Sequence, residues 1–220
     1  MRIKTIVAID GPAGAGKSTI AKLLAKRIGA DYIDTGAMYR AVALQLIRTG
    51  TDYNDPEALQ AMLDAMDVDF SEGHTLLNGE DVSGLIRTPE ISAVASPSSG
   101  IPAIRYKLTA LQQAMGKRKS IVMDGRDIGT VVFPDADFKF YLTASAGERA
   151  RRRTEEMRAK GEEADFETIK ADIIQRDYQD SHREIAPLKQ AEDAVLVDTT
   201  KLNLEESAEA IVRVIESKIG

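Results

Sequence analysis

The 220-residue sequence predicts an α/β fold built on a parallel sheet flanked by helices. Two observations carry that reading. Apolar runs of strand length without polar alternation recur along the chain, as in strands buried on both faces, and patterns of helical spacing separate them. The composition, 43% hydrophobic and 29% charged, is that of an ordinary globular domain. One main domain with a small insertion is expected.

Residues 3–9 are mostly β-branched and apolar, with no alternation after Thr5, and read as a buried strand. In 17–28, Ile20, Leu23, Leu24 and Ile28 recur at helical spacing, and Gly29 is a C-terminal stop. A second helix is expected over 36–48, ended by Gly50, and Asp55-Pro56-Glu57 opens a third with an N-cap and a proline at the first helical position. Between 65 and 100 the character changes. Val68, Phe70, Leu76 and Leu77 with the turn Asn78-Gly79 suggest a small hairpin, and 96–102 is rich in Ser, Pro and Gly. A helix from 101 through 111 precedes the strand 120–124, and 138–142 is another apolar run. Helices follow over 148–160 and 166–183, a last strand over 194–198, and Asn203 with Glu206 resembles a capping box for the final helix. The chain shows no repeat and no low-complexity tract.

Several function classes are excluded early. Without cysteine there is no disulfide framework or thiolate zinc site, and His74 and His182 alone make a histidine metal site improbable, so a metal here takes oxygen ligands. Neither histidine has a carboxylate at a useful spacing, and both read as surface or structural. The net charge of −6 argues against generic nucleic-acid binding. No stretch approaches the ~20 apolar residues of a membrane span, and a cytoplasmic monomer is expected.

Gly11-Pro12-Ala13-Gly14-Ala15-Gly16-Lys17-Ser18 fits G-x-x-x-x-G-K-[ST] in full and stands between a buried strand and a helix, where that motif belongs. Glycines allow backbone N–H groups to turn toward phosphate oxygens, and the helix N-terminus, which continues through Thr19, adds its positive dipole end. Lys17 reaches the β and γ phosphates of a nucleotide, and Ser18 ligates magnesium. Ile121-Val122-Met123-Asp124 is an apolar strand ending in an acid, the place where such a protein keeps the carboxylate that orients the metal.

The arginines address the acceptor, because a dianionic phosphate suits the guanidinium fork. Arg40 follows Asp34-Thr35-Gly36-Ala37-Met38-Tyr39, Arg105 lies in the helix after the insertion, and Arg126-Asp127 follow Asp124. Arg176, Asp180 and Arg183 share a helical face, as do Arg149, Arg152 and Arg153, where a lid over phosphates is expected. Tyr39 is a candidate for stacking on a base, whereas Tyr141 reads as core.

Taken together these blocks resemble the bacterial cytidylate kinases of the nucleoside monophosphate kinase group. The resemblance rests on the P-loop, on 34–40, on Asp124-Gly125-Arg126-Asp127-Ile128-Gly129-Thr130-Val131-Val132-Phe133-Pro134, and on 176–183 followed by Ala186-Pro187-Leu188. Asp81-Val82-Ser83-Gly84 with Ile86-Arg87 matches the family's insertion. It implies a P-loop NTPase core with a central five-stranded parallel sheet (about 1–35, 100–147 and 184–220), an acceptor-binding part (36–99, with the insertion at 65–100) and a short lid (148–165). It further implies ATP as donor, Mg2+ held by Ser18 and Asp124, and CMP or dCMP as acceptor. By matching position, Thr35, Tyr39, Arg40, Ser96, Arg105, Arg126, Asp127, Arg176, Asp180 and Arg183 would surround CMP, with Arg105, Arg126 and Arg176 as phosphate clamps. Lys17, Arg126, Asp124, Arg149, Arg152 and Arg153 would carry the transfer.

Two other readings stay in view. A kinase for UMP or a non-nucleotide acid would share this core and differ in its acceptor contacts. A nucleotide-gated switch is disfavoured, because the chain has no Asn-Lys-x-Asp guanine-reading segment.

Overall fold

The structure, a computed structural model, describes residues 4–71 and 73–219. A five-stranded parallel sheet runs in the order β2-β6-β1-β7-β8, with β1 Ile6–Asp10, β2 Asp31–Asp34, β6 Ile121–Gly125, β7 Phe138–Thr143 and β8 Val195–Asp198. Register is set by Val7 opposite Phe138 and Ile9 opposite Phe140, then by Phe140 opposite Val195 and Leu142 opposite Val197. Val7, Ala8, Ile9, Val122 and Met123 are completely buried. These uninterrupted apolar runs are those of strands covered on both faces. The strand expected from residue 3 starts at Ile6, and residues 1–3 lie outside the described ones.

Two compact units divide the chain: one runs up to Ala30 and resumes at Val122, the other is Asp31–Ile121. In the first, α1 (Lys17–Ile28) packs against the last helix α8 (Leu204–Ile219), and α6 (Ala146–Ala159) packs against α7 (Phe166–His182). The capping box before α8 forms as expected: Glu206 N–H donates to Asn203 Oδ1 at 2.9 Å, and Asn203 N–H to Glu206 Oε2 at 2.8 Å. A π-helical segment, Ile128–Val132, which no sequence pattern announces, packs on β1.

The second unit holds α2 (Thr35–Thr49), α3 (Pro56–Ala65), a small antiparallel sheet of β3 (Val68–Ser71), β4 (His74–Leu77) and β5 (Glu80–Asp81), then α4 (Pro89–Ser98) and α5 (Pro102–Arg118). Met38, Ala41 and Val42 of α2, Leu63 of α3, Leu77 of β4, Ile86, and Ile104 and Leu108 of α5 form its core, each at most 1% exposed. The insertion carries its own sheet, but of three strands. Asn78-Gly79 joins β4 to β5, with both residues at positive φ (51° and 84°), as a two-residue hairpin turn requires. The Ser- and Pro-rich stretch from 96 is helical up to Ser98. Thr88 caps α4 through Ile91 N–H, Pro89 stands at its start, and the buried faces of Ile91 and Ala95 keep the helix on α2 despite Pro97.

Candidate active site

The P-loop leaves β1 through Gly11, whose φ of 146° carries the chain past β7; a Cβ there would collide with the Leu142 carbonyl oxygen. Lys17 is 5% exposed and donates to the Pro12 carbonyl at 2.7 Å. Burial, and secondly the Arg126 guanidinium, push its ammonium group down to about 7, against the pull of Asp124, Asp10 and Asp180. Ser18 Oγ donates to Asp124 Oδ2 at 2.9 Å, so the hydroxyl of the motif and the acid that ends the β6 apolar run stand side by side. Residues 14–20 form one wall of a groove of about 1080 Å3, closed by α6 side chains between 148 and 156 and by the 199–207 stretch.

On the far side of that groove Arg149 and Arg152 point inward. Arg149, 4% exposed, donates to the Ala144 and Ala13 carbonyls at 2.8 and 3.1 Å. It also grips Asp177 of α7 with both Nη atoms, at 3.0 and 2.5 Å. Arg152 donates to Glu148 Oε1 at 2.9 Å and to the Thr199 carbonyl at 2.6 Å. Arg153 lines the same groove from a half-exposed position, as the shared helical face predicts, and pairs with Glu156 at 3.0 Å. Hydrogen bonds first from Arg151 and then from Arg152 hold the Glu148 carboxyl down at about 2.

After β6 the chain presents a second cationic cluster. Arg126 Nε donates to Asp180 Oδ2 at 2.7 Å, and Arg183 stands 3.5 Å from Asp127 and 3.9 Å from Asp180. Asp180 and Arg183 thus meet as their spacing predicts, while Arg176 lies exposed one turn earlier on α7. In the second unit Arg105 is 3% exposed, donates to the Ser99 carbonyl at 3.0 Å and lies 5.5 Å above the centre of the Tyr39 ring. Arg40 donates to Ser92 Oγ at 2.6 Å and to the Ile86 carbonyl at 3.4 Å. Thr35 is buried at the start of α2, and Ser96 is exposed on α4.

A family model described as Cytidylate kinase matches residues 7–217. The chain belongs to the cytidylate kinase family. A cytidylate kinase of Geobacter sp. (strain M21) is 50% identical over 219 residues, covering 98% of this chain and 94% of the relative. One from Streptococcus pneumoniae (strain 70585) is 48% identical over 223 residues, covering 99% and 100%. Among solved structures, an uncharacterized protein from Eubacterium ventriosum aligns with a TM-score of 0.56 at 12% identity, covering 97% of this chain and 99% of that one. A shikimate kinase from Bacteroides thetaiotaomicron aligns at 0.50 and 13%, covering 96% and 98%. These two likenesses concern the fold.

Within this chain, sequence reasoning missed three groups that organise the site. Asp177 holds Arg149, Thr199 holds Arg152, and Asp10 accepts two backbone N–H groups from the loop after Arg126. Each joins segments far apart in sequence, so no spacing reveals it. His74 also has a partner that local spacing hides, Asp81 at 2.8 Å across the small sheet.

Proposed function

We propose that this chain transfers the γ-phosphoryl group of ATP to the 5′-phosphate of CMP and dCMP, yielding ADP and CDP or dCDP. The observation that carries the reading is an intact P-loop, with Lys17 buried and Ser18 against Asp124, in a chain that matches the cytidylate kinase model almost end to end. The groove along 14–20 takes ATP, its phosphates under the loop N–H groups and its base toward 199–204.

Ser18 Oγ and Asp124 Oδ2 are two adjacent hard oxygens, and among the described residues no group of three or more His, Cys, Asp or Glu offers a fuller cage. That donor set suits Mg2+, which keeps several waters and takes its remaining ligands from phosphates. When bound, the ion neutralises charge on the β and γ oxygens.

The acceptor oxygen is already anionic, so no residue need act as general base, and catalysis is positioning and charge neutralisation. Lys17 exchanges the Pro12 carbonyl for phosphate oxygens, whose charge favours its protonated form. Arg126, Arg149, Arg152 and Arg153 surround the migrating group and help exclude water. Thr35, Tyr39, Arg40, Ser96 and Arg105, together with Arg126, Asp127, Arg176, Asp180 and Arg183, hold CMP, with Arg105, Arg126 and Arg176 on its phosphate. A core, an acceptor-binding part and a lid (148–165) belong to the same reading, as does a cytoplasmic monomer whose partners are small molecules and not nucleic acid. Among the described residues no helix is long and apolar enough to cross a membrane.

Incubation with ATP labelled at the γ-phosphorus, Mg2+ and CMP tests the reading. Label appearing in the β-phosphate of CDP supports it; label released only as inorganic phosphate contradicts it.

A further inference from the structure

Asp10 ends β1 immediately before the P-loop, yet its carboxylate is turned toward another segment. Oδ1 accepts the Ile128 N–H at 2.8 Å and Oδ2 the Gly129 N–H at 2.7 Å, in surroundings that leave the residue 4% exposed. Those two N–H groups open the π-helical segment that starts one residue after Arg126-Asp127. A helix start leaves N–H groups without intrahelical partners, and a fixed negative charge there satisfies them. Short π-helical turns are rare and concentrate at functional sites.

The contact leaves little slack. A Cβ on Gly129 would stand 3.3 Å from Asp10 Oδ2 and 3.2 Å from Lys139 Cδ, so even a methyl group there would press on the carboxylate. Burial drives the Asp10 carboxyl up to about 6, and Asp127 adds to the rise, while the Gly129 and Ile128 amides and Lys17 hold it down. Asp10 thus sits within electrostatic reach of the P-loop lysine and of the segment bearing Arg126, while its hydrogen bonds go to that segment.

We propose that Asp10 is a positioning residue for the acceptor: by fixing the entry of the π-helical segment it sets where Arg126 and Asp127 stand. This rests on the reading that Arg126 and Asp127 serve CMP. The side chain touches neither substrate in this account. It acts through the loop, and its removal affects the acceptor selectively, because the carboxylate bonds that loop and Gly11 is held separately by its close passage along β7.

The test is steady-state kinetics of Asp10→Asn, which keeps the shape but replaces one acceptor oxygen with a donor, alongside Arg126→Ala as a control. CMP is varied at saturating ATP, then ATP at saturating CMP. The KM for CMP is expected to rise about tenfold and kcat to fall, with the KM for ATP unchanged within about twofold. Gly129→Ala disturbs the same contact from the other side and is expected to give the same split, so it decides the matter if Asp10→Asn does not fold. If Arg126→Ala raises the KM for CMP but neither of the other variants does, the inference is overturned and the acceptor reading stands. Equal increases in both KM values in Asp10→Asn also overturn it. If Arg126→Ala leaves the KM for CMP unchanged, the acceptor reading fails, and the inference with it.

Discussion

Lys17 carries a positive charge that the fold buries almost completely, with its ammonium group donating to the Pro12 carbonyl. Because the folded value is down at about 7 from 10.5, the unfolded chain holds this proton between those limits while the folded chain releases it. The contribution of this group to the stability of the nucleotide-free protein therefore rises with pH from about 7 to about 10.5, and its full cost applies below 7. Lys17→Met, which keeps much of the volume and removes the charge, is expected to raise the melting temperature of the nucleotide-free protein at pH 7 and to flatten its rise with pH. The same variant should lose kcat by about 100-fold or more, since the cation on the migrating phosphoryl is gone. A lowered melting temperature in thermal unfolding would contradict the burial argument. At this scale the side-by-side placing of Ser18 and Asp124, the row of α6 arginines along the groove and the meeting of Asp180 with Arg183 were legible, because each sits in a local pattern with a chemical reason. Asp10, Asp177 and the His74–Asp81 pair were not, because their partners arrive through strand and helix packing across long sequence separations.

Two elements make separable tests. Helix α3 is capped by Asp55, whose Oδ1 accepts the Glu57 and Ala58 N–H groups at 3.0 and 3.1 Å on an exposed edge. Asp55→Ala should cost about 1 kcal/mol in urea unfolding and leave turnover unchanged. Helix α6 is tied to α7 through Arg149 and Asp177, whose side chains are 5% and 27% exposed. Asp177→Ala leaves the buried guanidinium short of its counter-charge and should cost about 2–3 kcal/mol, discounted for the partial exposure of Asp177. It should also raise the KM for ATP, because Arg149 lines the groove beside Gly14. Element type was legible wherever periodicity was long, as in α1, α5 and the apolar strands. It failed at α4, where caps and burial on α2 outweigh the proline, and at the edge strand β2, whose four residues Asp31–Asp34 are too short and too polar to announce a strand.

At the scale of the whole molecule, alternation of strands and helices predicted a parallel α/β sheet, but the order β2-β6-β1-β7-β8 is a long-range choice that periodicity does not encode. The net charge of −6 places the burden of binding phosphates on local cationic groups, so the KM values should rise with ionic strength more steeply than for a neutral ligand. ATP with Mg2+ at about 100 times its dissociation constant should stabilise the fold by about 2.7 kcal/mol, seen as a rise of several degrees in melting temperature that Lys17→Met sharply reduces. The central claim is the identity of the acceptor, and the most direct measurement is a coupled ADP-release assay with ATP and Mg2+, offering CMP, dCMP, UMP, AMP, GMP and shikimate one at a time. The account predicts fast turnover with CMP and dCMP and rates near the background ATPase with AMP, GMP and shikimate. A CMP rate no higher than that background would contradict it, leaving only the nucleotide-binding P-loop.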